Sequence, residues 1–213
     1  MRRRRSHDEI HVAVATTSAP EQRKRQILDA AVRVFARNGY HASRVGDVAE
    51  EAGVAYGLVY HYFDSKEAVL RSIFVETWTG MLGTIEAIEA GEESAREQLR
   101  KVIELVLRTW RRDPDLVRVL VREVTRAPQL NREIDEIELA FAALQRIVER
   151  GQQRGEFRDD VDPRLTAWIL YGAMEEILTG WVLGRLAADD AAVQAAEQSV
   201  LSAICDGLAL HSR

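Results

Sequence analysis

The chain holds one cysteine, Cys205, and four prolines among 213 residues. A lone thiol cannot close an internal disulfide, so the sequence is not a disulfide-stapled scaffold, and it suits a reducing compartment. Cys205 reads as a small buried apolar residue rather than a reactive thiol. No apolar run approaches the roughly 20 residues that span a bilayer, which excludes a membrane-spanning reading and leaves no membrane partner. Arg2 to Arg5 open the chain with no apolar stretch behind them. A secretory leader is therefore not expected, and a cytoplasmic location is. Regular strand alternation is missing as well. So are a nucleophile–base motif, metal-ligand spacing and a phosphate-cradling glycine loop. The five histidines, at positions 7, 11, 41, 61 and 211, are scattered. These absences argue against an enzyme and leave no catalytic residue, cofactor or metal to assign.

What is present is 46% hydrophobic and 30% charged, enough to build a core. With so few prolines and no strand signal, the composition favours an all-α protein. The net charge of −5 is unevenly spread. Residues 1–66 carry 11 Lys/Arg against 8 Asp/Glu, whereas the remainder carries 18 against 26. A basic first third on an acidic body suggests that the first third faces phosphates. Residues 1–20 read as a disordered basic arm in which Arg2–Arg5 either lie along phosphates or stay solvated.

The chain is organised around VGDVAEEAGVAYGLVYHYF, residues 45–63. Val45, Val48, Ala49 and Ala52 recur at helical spacing, and Gly53 follows where a helix ends in a left-handed conformation. Leu58, Val59, Tyr62 and Phe63 continue as a second short helix. Two short helices joined through glycine describe a helix-turn-helix. Spacing alone equally allows a plain helical hairpin with a tyrosine-rich surface. Before this pair, a helix over 21–38 carries an inner stripe of Ile27, Ala31, Val34 and Phe35, with Ser18 and Pro20 as start signals and Gly39 as stop. Arg23, Lys24 and Arg25 sit at its positive end, where nearby phosphate would offset the repulsion. Ser43 stands where it can N-cap the next helix. A long helix begins near Lys66, with Val69, Leu70, Ile73, Phe74, Thr77, Met81, Ile85 and Ile88 inward. At 1.5 Å per residue it is about 35 Å long, enough to link two domains.

Three runs carry a specific likeness: ILDAAVRVFARNGY (27–40), VGDVAEEAGVA (45–55) and GLVYHYFDSKEAVL (57–70). Together they resemble the DNA-binding domain of TetR-family transcriptional regulators. The resemblance implies a helix-turn-helix domain over 21–66 and a ligand-binding and dimerisation domain over 67–213, about nine helices in all. It implies that Ser43, Arg44, Ala55, Tyr56, Gly57, Tyr60, His61, Tyr62 and Lys66 form the DNA-binding set. Gly57 lets the recognition helix approach the DNA backbone, Tyr60 and His61 contact phosphate or base edges, Tyr62 and Phe63 bridge to the next helix, and Lys66 meets a phosphate. Ala55 departs from the capping serine common in the family, and Tyr56 from a lysine or small polar residue.

Beyond Ile88 only periodicity guides the reading. Helices are expected over 94–112 (Leu99, Val102, Ile103, Val106 and Trp110 inward), from Asp113-Pro114 (Leu116, Leu120, Val121 and Val124 inward) to before Pro128, over 131–154 (Ile134, Ile137, Phe141, Leu144 and Val148 inward), from Asp162-Pro163 past Trp181, and over 191–210. The helix after Pro163 is apolar almost all round and must be covered on all sides. Together with the last helix it is expected to form half of a four-helix homodimer interface, with Trp168, Gly172, Glu176, Val193, Val200 and Ile204 in contact. A two-fold dimer reads two half-sites about 34–36 Å apart, or a multiple, on palindromic double-stranded operator DNA.

The four tryptophans all lie in the body. The family resemblance implies a small-molecule pocket there, and Trp78, Met81, Trp110, Phe141, Leu144, Tyr171 and Glu175 are the candidate lining, with plain core packing as the alternative. The lining suits an apolar effector. Arg146, Arg150 and Arg154 align at i, i+4 and i+8 and offer either a phosphate site for an acyl-CoA or a solvated face. Glu175 and Glu176 stand inside an apolar helix; one of them offers a site for a cationic hydrophobic compound, or they pair with arginine at the interface or reach solvent. The expected function is a repressor released by a long-chain acyl-CoA. The alternatives are an efflux regulator responding to cationic drugs and a DNA-binding dimer with no ligand.

Overall fold

The computed structural model describes residues 18–124 and 135–209, and every regular element among them is an α-helix. In chain order these are α1 (Ala19–Asn38), α2 (Val45–Glu51), α3 (Tyr56–Tyr62), α4 (Lys66–Glu89), α5 (Ala95–Leu107), α6 (Thr109–Arg112), α7 (Pro114–Val124), α8 (Asp135–Gln153), α9 (Pro163–Val182) and α10 (Asp190–Leu208). They amount to nine helices when the single turn of α6 is counted with α5. The arginines of the basic arm, Pro128 and the expected helix start at 131–134 lie outside the described residues. Among the described residues no helix is long and apolar enough to cross a membrane.

Local chemistry sets the helix ends. α1 opens on a capping box: the Glu21 amide donates to Ser18 Oγ at 3.4 Å, and the Ser18 amide donates to the Glu21 carboxylate at 2.8 Å. Pro20 sits in its first turn, and it stops at Gly39, whose φ of +81° is cheap only for glycine. Gly53, at φ +64°, turns the chain between α2 and α3. α2 starts one residue later than expected. Arg44 occupies the N-cap position, and its amide donates to Asp47 Oδ2 at 2.7 Å. α7 starts on Asp113, whose carboxylate accepts the Leu116 amide at 2.9 Å. α9 starts on Asp162, which accepts the amides of Arg164 and Leu165.

The helices build two cores joined by α4. In the head, α1, α2, α3 and the first half of α4 bury Ile27, Phe35, Val59, Phe63, Leu70 and Phe74. In the body, α5, α8, α9, α10 and the second half of α4 bury Leu99, Ile103, Leu107, Ile147, Leu170 and Met174. Trp78 of α4 packs against both.

Two expectations about the body helices are corrected. The helix expected over 94–112 breaks at Arg108 into α5 and α6. There the Thr109 hydroxyl donates to the Leu105 carbonyl at 3.0 Å, and the Arg111 amide bonds three rather than four residues back, to Arg108, at 3.1 Å. On α7, Val117, Val119 and Glu123 are buried, whereas Leu116, Leu120 and Val121 are half-buried. α7 is wedged between head and body, so no single stripe faces inward.

Both ends of α4 are pinned. At its start, Ser65 Oγ accepts the Ala68 amide at 3.0 Å, and Lys66 Nζ donates to the Tyr40 and Ser43 carbonyls at 2.7 and 2.8 Å. At its end, the Gln98 amide donates to the carbonyls of Ile88, Glu89 and Gly91. Arg146 grips the Glu89 carboxylate through two hydrogen bonds of 2.8 and 2.7 Å, and Arg150 donates to the Glu89 carbonyl at 2.8 Å. Cations at a helix C-terminus match its negative dipole end. The hydrogen bonds from Arg146 hold the Glu89 carboxyl below the usual carboxylate range.

Candidate nucleic-acid interface and effector cavity

α3 carries an aromatic outer face. Val59 and Phe63 turn into the head core, which leaves Tyr56 (57% exposed), Gly57, Tyr60 (43% exposed) and His61 outward. The Tyr56 and Tyr60 rings meet edge to face at 5.2 Å, with their hydroxyls 3.3 Å apart. That hydroxyl contact pushes the Tyr60 phenol above its ordinary value. Both hydroxyls are of the kind that can donate to phosphate oxygens or base edges. No atom lies within 4 Å of where a Cβ on Gly57 would stand. Glycine inside a helix costs about 1 kcal/mol relative to alanine, and no close contact inside the protein calls for it here. The α3 start has no side-chain cap, because Ala55 fills the N-cap position. Ala55 and Arg44 are exposed on the same head, while Tyr62 is half-buried against its core.

Two residues of the expected DNA-binding set are placed differently. Ser43 is 3% exposed and neither caps α2 nor faces outward; its hydroxyl donates to the Gly39 carbonyl at 2.7 Å. Lys66 directs its ammonium inward to backbone carbonyls and sits 4.4 Å above the Tyr40 ring. The Ser43 hydroxyl closes the α1–α2 turn, and Lys66 ties that turn to the start of α4. At the start of α1, Lys24 bridges to Glu76 of α4 at 2.9 Å.

In the body, α4, α8 and α9 each present one stripe to a common cavity. Thr77, Trp78, Met81 and Ile85 come from α4, Ala140, Phe141 and Leu144 from α8, and Tyr171, Met174, Glu175 and Leu178 from α9. Val102 and Val106 of α5 and Leu120 and Val121 of α7 complete the wall. The cavity holds about 90 Å³ of enclosed space and opens to solvent through a mouth. Phe141 stacks on Trp168 with centroids 4.5 Å apart and meets Tyr171 at 4.8 Å. Burial, and after it the Glu175 charge, pushes the Tyr171 phenol well above its ordinary value.

Six of the seven expected lining residues meet here: Trp78, Met81, Phe141, Leu144, Tyr171 and Glu175. Trp110 does not. The break at Arg108 turns it toward Trp181, 6.1 Å away, with the Arg118 guanidinium over its ring. Val102, Val106, Leu120, Val121, Met174 and Leu178 were absent from the expected lining. Met174 and Leu178 are one turn apart beside Tyr171 and Glu175, so the spacing held a signal for them. For Leu120 and Val121 it held none, because α7 reaches the cavity only through tertiary packing. The arginine row of α8 is committed elsewhere. Arg146 and Arg150 hold Glu89, and Arg154 donates to the Glu93 carbonyl at 3.4 Å.

The outer face of α9 is apolar and uncovered: Leu165 and Ile169 are each 61% exposed, Trp168 is 54% exposed, and Gly172 and Glu176 continue the line. Beside it α10 exposes Ala195, Ser199, Ser202 and Ala203, with Ile204 half-buried. Val193 and Val200, expected at an interface, are buried within the body core and cannot touch a partner. The three-four spacing that marks them as apolar does not say which of two neighbouring stripes faces home.

Residues 27–73 match the family model for bacterial regulatory proteins of the tetR family, and residues 74–202 match that of the YsiA-like protein C-terminal region. The chain is 34% identical to the fatty acid metabolism regulator protein of Bacillus subtilis (strain 168), covering 86% of this chain and 94% of that protein. It is 28% identical to the HTH-type transcriptional repressor KstR2 of Rhodococcus jostii (strain RHA1), covering 91% and 94% respectively. Its fold matches the crystal structure of FadR from Bacillus subtilis in complex with stearoyl-CoA with a TM-score of 0.73 and 31% identity, over 88% of this chain and 99% of that one. With its helix-turn-helix head and helical body, the chain belongs to the TetR family of DNA-binding transcriptional regulators.

Proposed function

We propose that the protein is a homodimeric repressor that leaves a palindromic operator when a long-chain acyl-CoA fills the body cavity. The observation that carries this reading is the cavity's position on α4 and α7. Ile73 and Phe74 of α4 lie in the head core, while Trp78, Met81 and Ile85 of the same helix line the cavity. Val119 of α7 inserts into the head core, Leu120 and Val121 line the cavity, and Arg122 donates to the Ala36 carbonyl in the last turn of α1 at 3.1 Å. An acyl chain that pushes these walls apart tilts the head. A bias of a few kcal/mol between the two arrangements suffices to empty an operator. The acyl-CoA assignment draws on the almost wholly apolar wall and on the stearoyl-CoA bound by the structurally similar FadR.

In this reading α3 enters the major groove through Tyr56, Gly57, Tyr60 and His61, with Arg44 on the flanking backbone. One short helix reads few bases, so two heads held by a dimer are needed. The α9 face of Leu165, Trp168, Ile169, Gly172 and Glu176, with Ile204 and the small residues of α10, supplies the self-complementary contact. A cationic hydrophobic effector is the second reading, favoured by Glu175 in the cavity wall.

The test is a thermal-shift and calorimetric series with palmitoyl-CoA and cationic amphiphiles on the purified protein, together with operator selection from random duplexes. Palmitoyl-CoA binding near one per protomer, with a selected palindrome, supports the proposal. Binding of cationic amphiphiles alone transfers it to the second reading, and no binding of either class removes the effector.

A further inference from the structure

The cavity wall contains one carboxyl group, that of Glu175, and no cation. Among the described residues no hydrogen bond or ion pair reaches that carboxyl, whose residue is half-buried. Its neighbours along the α9 stripe are Tyr171, Met174 and Leu178, none of which is cationic, and Glu176 beside it adds a second negative charge. Burial first, and the Glu176 charge second, push the Glu175 carboxyl above the usual carboxylate range. An acid left unpaired in an apolar wall is unfavourable for folding, so a role in ligand choice gives it a reason to stand there.

We propose that Glu175 is a specificity residue that bars free carboxylates, such as an unesterified fatty acid, while admitting the same chain under an uncharged head group such as a thioester. The inference rests on reading the cavity as an effector site. Glu175 is half-buried and keeps part of its surface accessible, and Thr77, the other small polar group of the wall, already donates its hydroxyl to the Ile73 carbonyl. Glu175 therefore stands where the apolar wall meets solvent, the place a linear amphiphile leaves its head. A fatty-acid carboxylate there meets a like charge in a medium that screens poorly, with no cation in the wall to balance either. A thioester is neutral. The phosphates of coenzyme A hang at the far end of the pantetheine arm, beyond the Debye length of about 8 Å at physiological salt. The sensor thus reads the activated chain, the product of joining an acid to a thiol carrier, and ignores its precursor.

The test compares myristate, tetradecan-1-ol and myristoyl-CoA on the full-length protein by tryptophan fluorescence, which Trp78 in the wall reports. Wild type binds the alcohol about tenfold or more tightly than the acid. Glu175→Gln brings the acid to within about threefold of the alcohol and leaves the alcohol and the CoA ester changed less than threefold. Glu175→Leu repeats the result without the amide, and circular-dichroism melts verify the fold of each variant. An acid-to-alcohol ratio that both variants leave unchanged overturns the proposal. If that ratio responds while myristoyl-CoA fails to bind, the filter stands and the acyl-CoA reading falls. If myristoyl-CoA binds and the ratio does not respond, the filter falls and the reading stands. No binding of any of the three overturns both.

Discussion

In the head, Phe35, Val59, Phe63 and Phe74 pack together from one contiguous stretch of about fifty residues, and what remains outward is a small tyrosine-rich face. In the body, helices from α4 to α10 gather around Leu99, Ile147 and Met174, yet they leave an apolar cavity of about 90 Å³ and an uncovered face at Leu165, Trp168 and Ile169. Side chains that could have closed the cavity are present but used differently; Trp110, for instance, pairs with Trp181 of the body core. Interiors normally pack as densely as organic crystals, so an apolar cavity left among these helices is room for something else. The head core is closed by its own helices together with Val119 of α7. The body leaves both a cavity and an uncovered apolar face.

Deleting one buried ring should separate the two regions most sharply. Phe74→Ala removes a fully buried ring from the head core and should cost about 3–5 kcal/mol in urea unfolding. Met81→Ala, at the half-exposed cavity wall, should cost less than about 2 kcal/mol, because its neighbours already face open space. Equal losses would mean that the body is packed as tightly as the head.

Next in size is the anchor that fixes the far end of α4. Glu89→Ala strands Arg146 and Arg150 and should cost about 1–3 kcal/mol. The same contact sets a pH dependence. Because the folded state depresses the Glu89 carboxyl, its stabilisation is fully present above the ordinary carboxylate value, about 4.3, and is lost as pH falls through the depressed value. Acid titrations of wild type and Glu89→Gln should therefore keep a constant gap above about pH 4.3 and converge as pH falls below it. Parallel curves throughout would remove the anchor from the account.

The smallest effect has the opposite sign. Folding raises the Glu175 carboxyl, so its penalty grows as pH rises from the ordinary value through the raised one, and it is complete above the latter. Glu175→Gln should raise the melting temperature at pH 7 by about 1–2 °C, with the gain gone below about pH 4. A fall in melting temperature at pH 7 would show that the carboxylate has a partner in the folded protein.

The head was legible in the sequence because its contacts are local. The stripe Ile27, Ala31, Val34 and Phe35, the stop at Gly39 and the turn at Gly53 each follow from residues within a few positions. What was not legible were the side chains that two neighbours compete for. Ser43 has the chemistry of an N-cap, yet the Gly39 carbonyl takes its hydroxyl; Lys66 has the charge for a phosphate, yet three carbonyls of the preceding loop surround it. In the body, the family resemblance implied the cavity and periodicity the inward stripes of α4, α8 and α9, but that periodicity gave Trp110 the wrong direction, since the helix breaks at Arg108. Val193 and Val200 illustrate the same limit. An apolar stripe on α10 says that something covers it, not whether the cover is its own α5 or another protomer.

The central claim is that filling the body cavity moves the head. It is tested most directly by titrating palmitoyl-CoA into the protein bound to a fluorescent operator duplex, with anisotropy reporting DNA and tryptophan emission reporting the cavity. The account predicts that the two signals change together at the same ligand concentration, and that Leu144→Trp, which fills the cavity from within, blunts both. Saturation of the cavity signal with the duplex still bound would contradict it.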